Sequence, residues 1–222
     1  MSYELVIVGG GPAGLSAAAR ANELGLTYVL LEASAALANT IQRYQKGKHV
    51  MAEPAVVPLR SDLEFSAGTR EAVLDSWQQS CNTHDINVLY DADVISINGA
   101  KPDFKLDLAN GETLHAAAVV LSIGLQGNPR KLGVSGEDER FVQYTLDDPD
   151  AFTSERIVVV GAGDAAIENA VALARRNTVV IINRRDEFAR AKDGNLNLIS
   201  RAIEDGAVNC FYNSNVASVE SG

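Results

Sequence analysis

Two glycine clusters, one glutamate and a pair of arginines hold most of the chemical potential of this sequence. Residues 9–14 read Gly-Gly-Gly-Pro-Ala-Gly and place Gly9, Gly11 and Gly14 in the GxGxxG spacing. In a strand-to-helix turn the first glycine permits the tight bend. The second lets a pyrophosphate approach the backbone, and the third lets helix and strand pack closely. The helix that opens there, with Pro12 and Ala13 in its first turn, presents unpaired N–H groups and a partial positive charge to a phosphate. Glu32 follows 18 residues after Gly14, where a carboxylate can accept from ribose hydroxyls. The glycine spacing alone is weak; its strength comes from the apolar run before it, the helix after it and the acid beyond. The competing reading is a cluster of turn glycines with a surface glutamate.

A second cluster places Gly161, Gly163 and Ala166 in a GxGxxA pattern, with Asp164 inside it counted among the nucleotide-contacting residues. The strand that follows ends not in an acid but in Asn183-Arg184-Arg185. Arginines attract a 2′-phosphate and can pair with it bidentately, where a carboxylate would repel it. Charge-assisted hydrogen bonds contribute roughly 1.5–3 kcal/mol each, so two of them could separate NADP from NAD. Arg190 is a candidate third contact. A solvated basic turn, or arginines paired with Asp186 and Glu187, is the alternative.

These residues need a scaffold that puts glycines at strand ends. Residues 5–8 (LVIV) form a continuous apolar run, as suits a parallel strand buried on both faces. A helix-compatible stretch at 15–21 and a second apolar run at 28–31 complete a βαβ unit. Residues 157–160, a helical period through Ile167, Ala170, Val171 and Ala174, and 179–182 repeat it. The sequence therefore predicts two α/β nucleotide-binding lobes. Between them, 34–68 reads as loop with short helices at most, broken by Pro54, Pro58 and the turn at Lys46-Gly47-Lys48. Residues 69–83 read as a helix with Val73, Trp77 and Cys81 on one face. Strands are predicted at 87–97, 104–108 and 116–123, with turns at Asn98-Gly99 and Asn110-Gly111. Together they make an antiparallel meander in the first lobe. The expected division is 1–125, a connection at 126–154 rich in glycine, proline and charge, and 155–222. The last part should hold a helix at 196–204 and strands at 208–212 and 216–219.

Composition narrows the classes. The chain has 222 residues, 46% hydrophobic and 22% charged, with a net charge of −10. That is globular usage, and it disfavours general affinity for nucleic acid or an anionic membrane. No apolar stretch reaches the ~20 residues of a membrane span. The N-terminus lacks a basic n-region, so a cytoplasmic setting is expected. Cys81 and Cys210 are far apart with no CxxC, and with His49, His84 and His115 isolated no metal site is expected. Both cysteines are expected to be buried. The basic segment Arg43 to His49 is read either as facing a cofactor or acceptor, or as a solvated loop.

The order of motifs resembles the low-molecular-weight thioredoxin-reductase-like flavoproteins, which carry two dinucleotide-binding sites. The residues concerned are VIVGGGPAGLSAA at 6–18, Glu32, LSIGLQGNPRKLGVSGED at 121–138, VVVGAGDAAIENA at 158–170 and NRRDEF at 183–188. The resemblance implies two Rossmann-like domains of the three-layer ββα type, FAD at the first fingerprint and NADPH at the second. It adds Val94, by its backbone, as an adenine contact, and Gly124 as the glycine closing a strand near the domain junction. It implies an NADPH-dependent flavoprotein reductase in which hydride passes to the flavin and on to an acceptor.

Three departures qualify it. The redox CxxC expected before the second fingerprint is absent, as in thioredoxin-reductase-type ferredoxin–NADP reductases. That leaves the acceptor open among a ferredoxin-like protein, a disulfide and a small molecule. The usual basic motif, HRRxxFR, has Asn183 in place of histidine and its last arginine displaced to Arg190. Relatives also run on to a C-terminal Gly-Asp motif that holds the flavin. Both lobes are therefore expected to be incomplete here, with weak FAD binding by this chain. No catalytic side chain is assigned, and a homodimer is compatible with the resemblance. A nucleotide-responsive binding module and a disulfide reductase of the thioredoxin reductase type remain as alternatives.

Overall fold

A computed structural model describes residues 2–51, 61, 63, 66–125 and 130–220. Pro54, Pro58 and Pro129 lie outside the described residues. The chain divides into two units, Met1–Asn128 and Pro129–Gly222.

In the first unit, β1 (Ser2–Val8), the helix α1 (Pro12–Glu23) and β2 (Tyr28–Leu31) form the expected βαβ unit. β1 runs parallel to β2, with Leu5 opposite Tyr28 and Val8 opposite Leu31. A short helix, α2 (Asn39–Gln42), and the paired strands β3 (His49–Val50) and β4 (Gly68–Thr69) follow. The helix α3 (Arg70–Thr83) is capped by Thr69, whose hydroxyl accepts from the Ala72 N–H. It buries Val73, Trp77 and Cys81, the face read from the sequence.

β5 (Val88–Leu89) joins the far side of β2 in parallel. β6 (Val94–Ala100), β7 (Asp103–Leu108) and β8 (Thr113–Leu121) form the antiparallel meander. The sheet order is β5-β2-β1-β8-β7-β6. β8 is the pivot: Thr113 to Ala116 pair antiparallel with β7, and His115 to Leu121 run parallel to β1.

Alternation along β1 and β2 produces three layers, because successive side chains leave opposite faces. Ile7, Tyr28 and Leu30 pack with Leu15 and Ala18 of α1 and with Trp77 of α3. Val6, Val8, Val29 and Leu31 pack with Leu106, Leu108 and Leu114 of the meander. The parallel strands are thus covered by helices on one face and by β-structure on the other.

The second unit contains β9 (Arg156–Val160), α4 (Asp164–Leu173), β10 (Thr178–Ile182), α5 (Asp193–Glu204) and β11 (Val208–Phe211). Its three strands are parallel in the order β11-β10-β9. Ile167 and Ala170 of α4 and Ile199 of α5 bury Val179, Ile181 and Val208 on one face. On the other face Val158 is 57% and Val160 46% exposed.

Several boundaries differ from the sequence reading. The strand expected at 87–97 is two elements that pair on opposite edges of the sheet, β5 and β6. Asn98-Gly99 lies inside β6, and the chain reverses at Lys101-Pro102, between the paired Ala100 and Asp103. The strand expected at 216–219 is a single bridge, Ser135 to Ser218. Cys210 is half-buried, whereas Cys81 is buried. The stretch expected as a connection falls mostly with the second unit: Leu146 and Phe152 pack on its core, and the Ser154 N–H donates to the Arg176 carbonyl at 2.9 Å.

The meander carries a pH-sensitive contact. The Asp107 carboxylate accepts from Ser96 and Thr113, each at 2.9 Å, and pairs with Lys105 at 2.9 Å. Bonding to Lys105 first, then to Thr113 and Ser96, lowers its pKa to about 2. The folded value lies below the unfolded one. Its stabilisation is therefore full above the ordinary aspartate range near ~4 and is lost as pH falls toward about 2. Carboxyl titration by NMR should show the low value. Asp107→Asn should remove the corresponding part of the acid dependence of unfolding; an acid limb unchanged in the variant would contradict the contact.

Candidate functional site

The first candidate site lies at the carboxyl ends of β1, β2 and β8. In parallel α/β sheets this is where ligands bind. Gly9 ends the strand with a φ of +104°, in the region that disfavours side chains, and a Cβ there would sit 2.5 Å from the Ser122 carbonyl oxygen. A Cβ on Gly14 would overlap the Gly9 carbonyl oxygen. Gly11 is different: a Cβ there would meet nothing within 4 Å. Ser122 locks the turn from β8. Its N–H and hydroxyl donate to the Val8 carbonyl, each at 2.8 Å, and the hydroxyl lies 2.9 Å from the Gly9 carbonyl.

The α1 N-terminus suits an anion. Gly11 is the N-cap and supplies no side-chain cap, Pro12 starts the helix, and the first turn holds no acid. The early N–H groups, those of Ala13 and Gly14 among them, are therefore without an intrahelical acceptor. Glu32 is only 6% exposed. One carboxylate oxygen accepts from the Gly10 N–H at 2.8 Å, and the other from the N–H and hydroxyl of Ser34. Each oxygen retains acceptor capacity after these bonds. Val94 begins β6 opposite Leu108. It lies two residues beyond Ala92, whose N–H donates to the Glu32 carbonyl at 2.9 Å. Gly124, with left-handed backbone, follows Ser122 by two residues. The structure thus brings Gly9, Gly11, Pro12, Ala13, Gly14 and Glu32 to the ends of the paired strands β1 and β2, with Gly124 just beyond β8 and Val94 at the start of the edge strand β6.

The second candidate site repeats the turn in the other unit. Gly161 has a φ of +136°, and a Cβ there would stand 3.3 Å from the Ala166 Cβ, while Gly163 faces open space. Asp164 occupies the first turn of α4, but its Oδ1 accepts from the Lys192 N–H at 3.0 Å and from Asn195 at 2.8 Å. Asp164 therefore fastens the start of α5 beside α4. Arg184 and Arg185 follow β10 and are exposed, as is Arg190. Among the described residues no ion pair engages any of the three. Asp186 and Glu187 lie beside the arginines without forming one. Sequence reasoning missed Ser34 and Ser122, because neither lies inside a glycine pattern.

Burial pushes the pKa of Cys81 up, and it pushes that of Cys210 up as well. A raised thiol pKa leaves little thiolate, the nucleophilic form. Among the described residues no helix is long and apolar enough to cross a membrane.

The fold is that of an α/β protein with two glycine turns between strand and helix, one per unit. The chain matches the pyridine nucleotide-disulphide oxidoreductase family over residues 6–221, and it belongs to that family. It is 29% identical over 186 residues to a ferredoxin–NADP reductase of Ignicoccus hospitalis, covering 83% of this chain and 57% of the relative. It is 28% identical over 222 residues to a thioredoxin reductase of Listeria monocytogenes, covering 98% and 63%. The chain thus spans less than two thirds of the length of these curated relatives. Among solved structures, the bacillithiol disulfide reductase Bdr of Staphylococcus aureus has a TM-score of 0.89 at 19% identity, over 99% of this chain and 69% of that one. Thioredoxin reductase of Lactococcus lactis gives 0.80 at 22%, over 99% and 67%. These structural likenesses confirm the fold.

The two glycines make a contrasting pair. Gly14→Ala should lower unfolding stability by about 3 kcal/mol, because backbone must move to admit the methyl group. Gly11→Ala should change it by under about 1 kcal/mol while weakening nucleotide binding. Urea denaturation with a parallel binding titration tests both; equal destabilisation would contradict the open space at Gly11.

Proposed function

We propose that the first site holds the ADP moiety of FAD and the second holds NADPH, and that the protein to which this sequence belongs is an NADPH-dependent flavoprotein reductase. The carrying observation is the asymmetry of the two strand ends: buried Glu32 at one, and at the other Arg184 and Arg185, which form no ion pair among the described residues. Glu32 has spare acceptor capacity for ribose hydroxyls, and the acid-free start of α1 suits the pyrophosphate. Arg184 and Arg185 supply charge for a 2′-phosphate. Arg190 is close enough in sequence to join them, and Asp164 acts by placing α5. Gly124, just beyond β8, and Val94, at the start of β6 two residues after the Ala92 contact with Glu32, are the remaining candidate contacts of the first site.

When bound, FAD supplies the redox chemistry between nicotinamide and acceptor. The chain's own residues bind, orient and exclude water, and none is assigned acid or base work. The sequence has no CxxC to form a dithiol, so the acceptor we infer lies outside this chain. The relatives' names favour a ferredoxin-like protein, with a disulfide or a small molecule as the other classes. A cytoplasmic setting fits this chemistry, as does assembly as a homodimer.

The double variant Arg184→Ala/Arg185→Ala should bind NADPH at least about 100-fold more weakly, as two charge-assisted bonds imply, with NADH changed by less than about threefold. Calorimetric titration with each dinucleotide checks this; equal losses would contradict the 2′-phosphate role. Glu32→Ala should weaken FAD binding about tenfold, read from quenching of flavin fluorescence. Unchanged quenching would remove Glu32 from the first site.

A further inference from the structure

Asn183 is among the most buried polar residues of the second unit, at 1% exposure, yet four exposed residues, 184–187, follow it directly. Its side chain serves that exposed segment. Oδ1 accepts from the Arg185 N–H at 3.0 Å, and Nδ2 donates to the Glu187 carbonyl at 2.9 Å. Its main chain is tied elsewhere: the N–H donates to the Phe211 carbonyl at 2.9 Å, and the carbonyl accepts from the Ser214 N–H at 3.0 Å. The Arg185 carbonyl in turn accepts from the Asn213 N–H at 3.1 Å. At the far end of the segment Phe188 is buried and meets Tyr212 edge to face, ring centres 5.9 Å apart.

The chemistry of the two partners fixes the amide's orientation, since an N–H requires an acceptor and a carbonyl requires a donor. Aspartate would serve the first partner and repel the second. An apolar residue would serve neither. A bond from Oδ1 to the N–H two residues on is an Asx turn, which sets the backbone course locally. Here it sets that course at the arginine pair.

We propose that Asn183 is a positioning residue: it holds the Arg184-Arg185 turn in the form that receives a 2′-phosphate, and so sets the preference for a phosphorylated ribose. The inference rests on the nucleotide reading of the second site. A turn held in one course spares the arginines part of the ordering cost of binding. Loss of the amide should therefore fall on the phosphate contact more than on the glycine turn at 161–166.

The test uses the 222-residue chain with 2′,5′-ADP and 5′-AMP as calorimetric probes. The unaltered protein should prefer 2′,5′-ADP. Asn183→Ala should reduce that preference about tenfold, with 5′-AMP affinity changed by less than about twofold. Asn183→Ser should restore most of the preference, since a serine hydroxyl can accept from the N–H two residues on. Equal weakening of both probes in Asn183→Ala would mark a merely structural role and overturn the proposal, as would an unchanged preference. If Asn183→Ala does not fold, amide exchange at Arg185 in the unaltered protein decides. A slowed rate at this exposed residue supports the bond to Asn183, and an unprotected rate overturns it. Failure of the underlying reading looks different. The unaltered protein would then show no preference for 2′,5′-ADP, and Arg184→Ala/Arg185→Ala would change nothing. A preference lost in the arginine pair but intact in Asn183→Ala sinks this inference alone.

Discussion

At the first glycine turn the chain passes from β1 into α1 with almost no space to spare. The Gly9 carbonyl oxygen occupies the place where a side chain at residue 14 would begin, and the Ser122 backbone closes in on Gly9 from β8. Ser122 stays there through its bonds to Val8. Because α1 starts so close to the strand, its free N–H groups stand at the carboxyl edge of the sheet, beside Glu32. Widening that approach would displace the helix end, the Gly10 to Glu32 bond and the packing of Leu15 on Leu30 together. The open space at Gly11 is the complement of this tightness, and it is where a phosphate can come near the backbone.

The second unit uses the same approach with different chemistry at the next strand end. There the bend at Gly161 is closed by Ala166, and the following strand leads to cations instead of a carboxylate. On the proposed reading, a buried acid and an exposed arginine pair let the two turns select different ribose groups, although their backbones obey one rule. Burial raises the pKa of both thiols, and the two cysteines stand in different units.

Much of this arrangement was legible in the sequence because it depends on local pattern. Apolar runs at 5–8 and 157–160, followed at once by glycines, marked both turns. The turn signal at Asn110-Gly111 marked the reversal between β7 and β8, and the spacing of Val73, Trp77 and Cys81 marked α3. What escaped depends on partners remote in the chain. The start of α5 at Asp193 was hidden by Gly194, and its first N–H, that of Lys192, is satisfied by Asp164, 28 residues away. The break between β5 and β6 follows from their pairing on opposite edges of one sheet, which an apolar run cannot encode. Ser34 and Ser122 matter only once Glu32 and Gly9 are placed beside them.

The central claim is that the two turns are separate sites of different selectivity. Backbone amide shifts of the 222-residue chain, recorded with 2′,5′-ADP and then with FAD, test it most directly. The account predicts that 2′,5′-ADP perturbs Gly161 to Ala166 and the Arg184-Arg185 turn, while FAD perturbs Gly9 to Gly14 and Glu32. Both ligands mapping to one turn, or 2′,5′-ADP leaving the arginine turn unmoved, would contradict it.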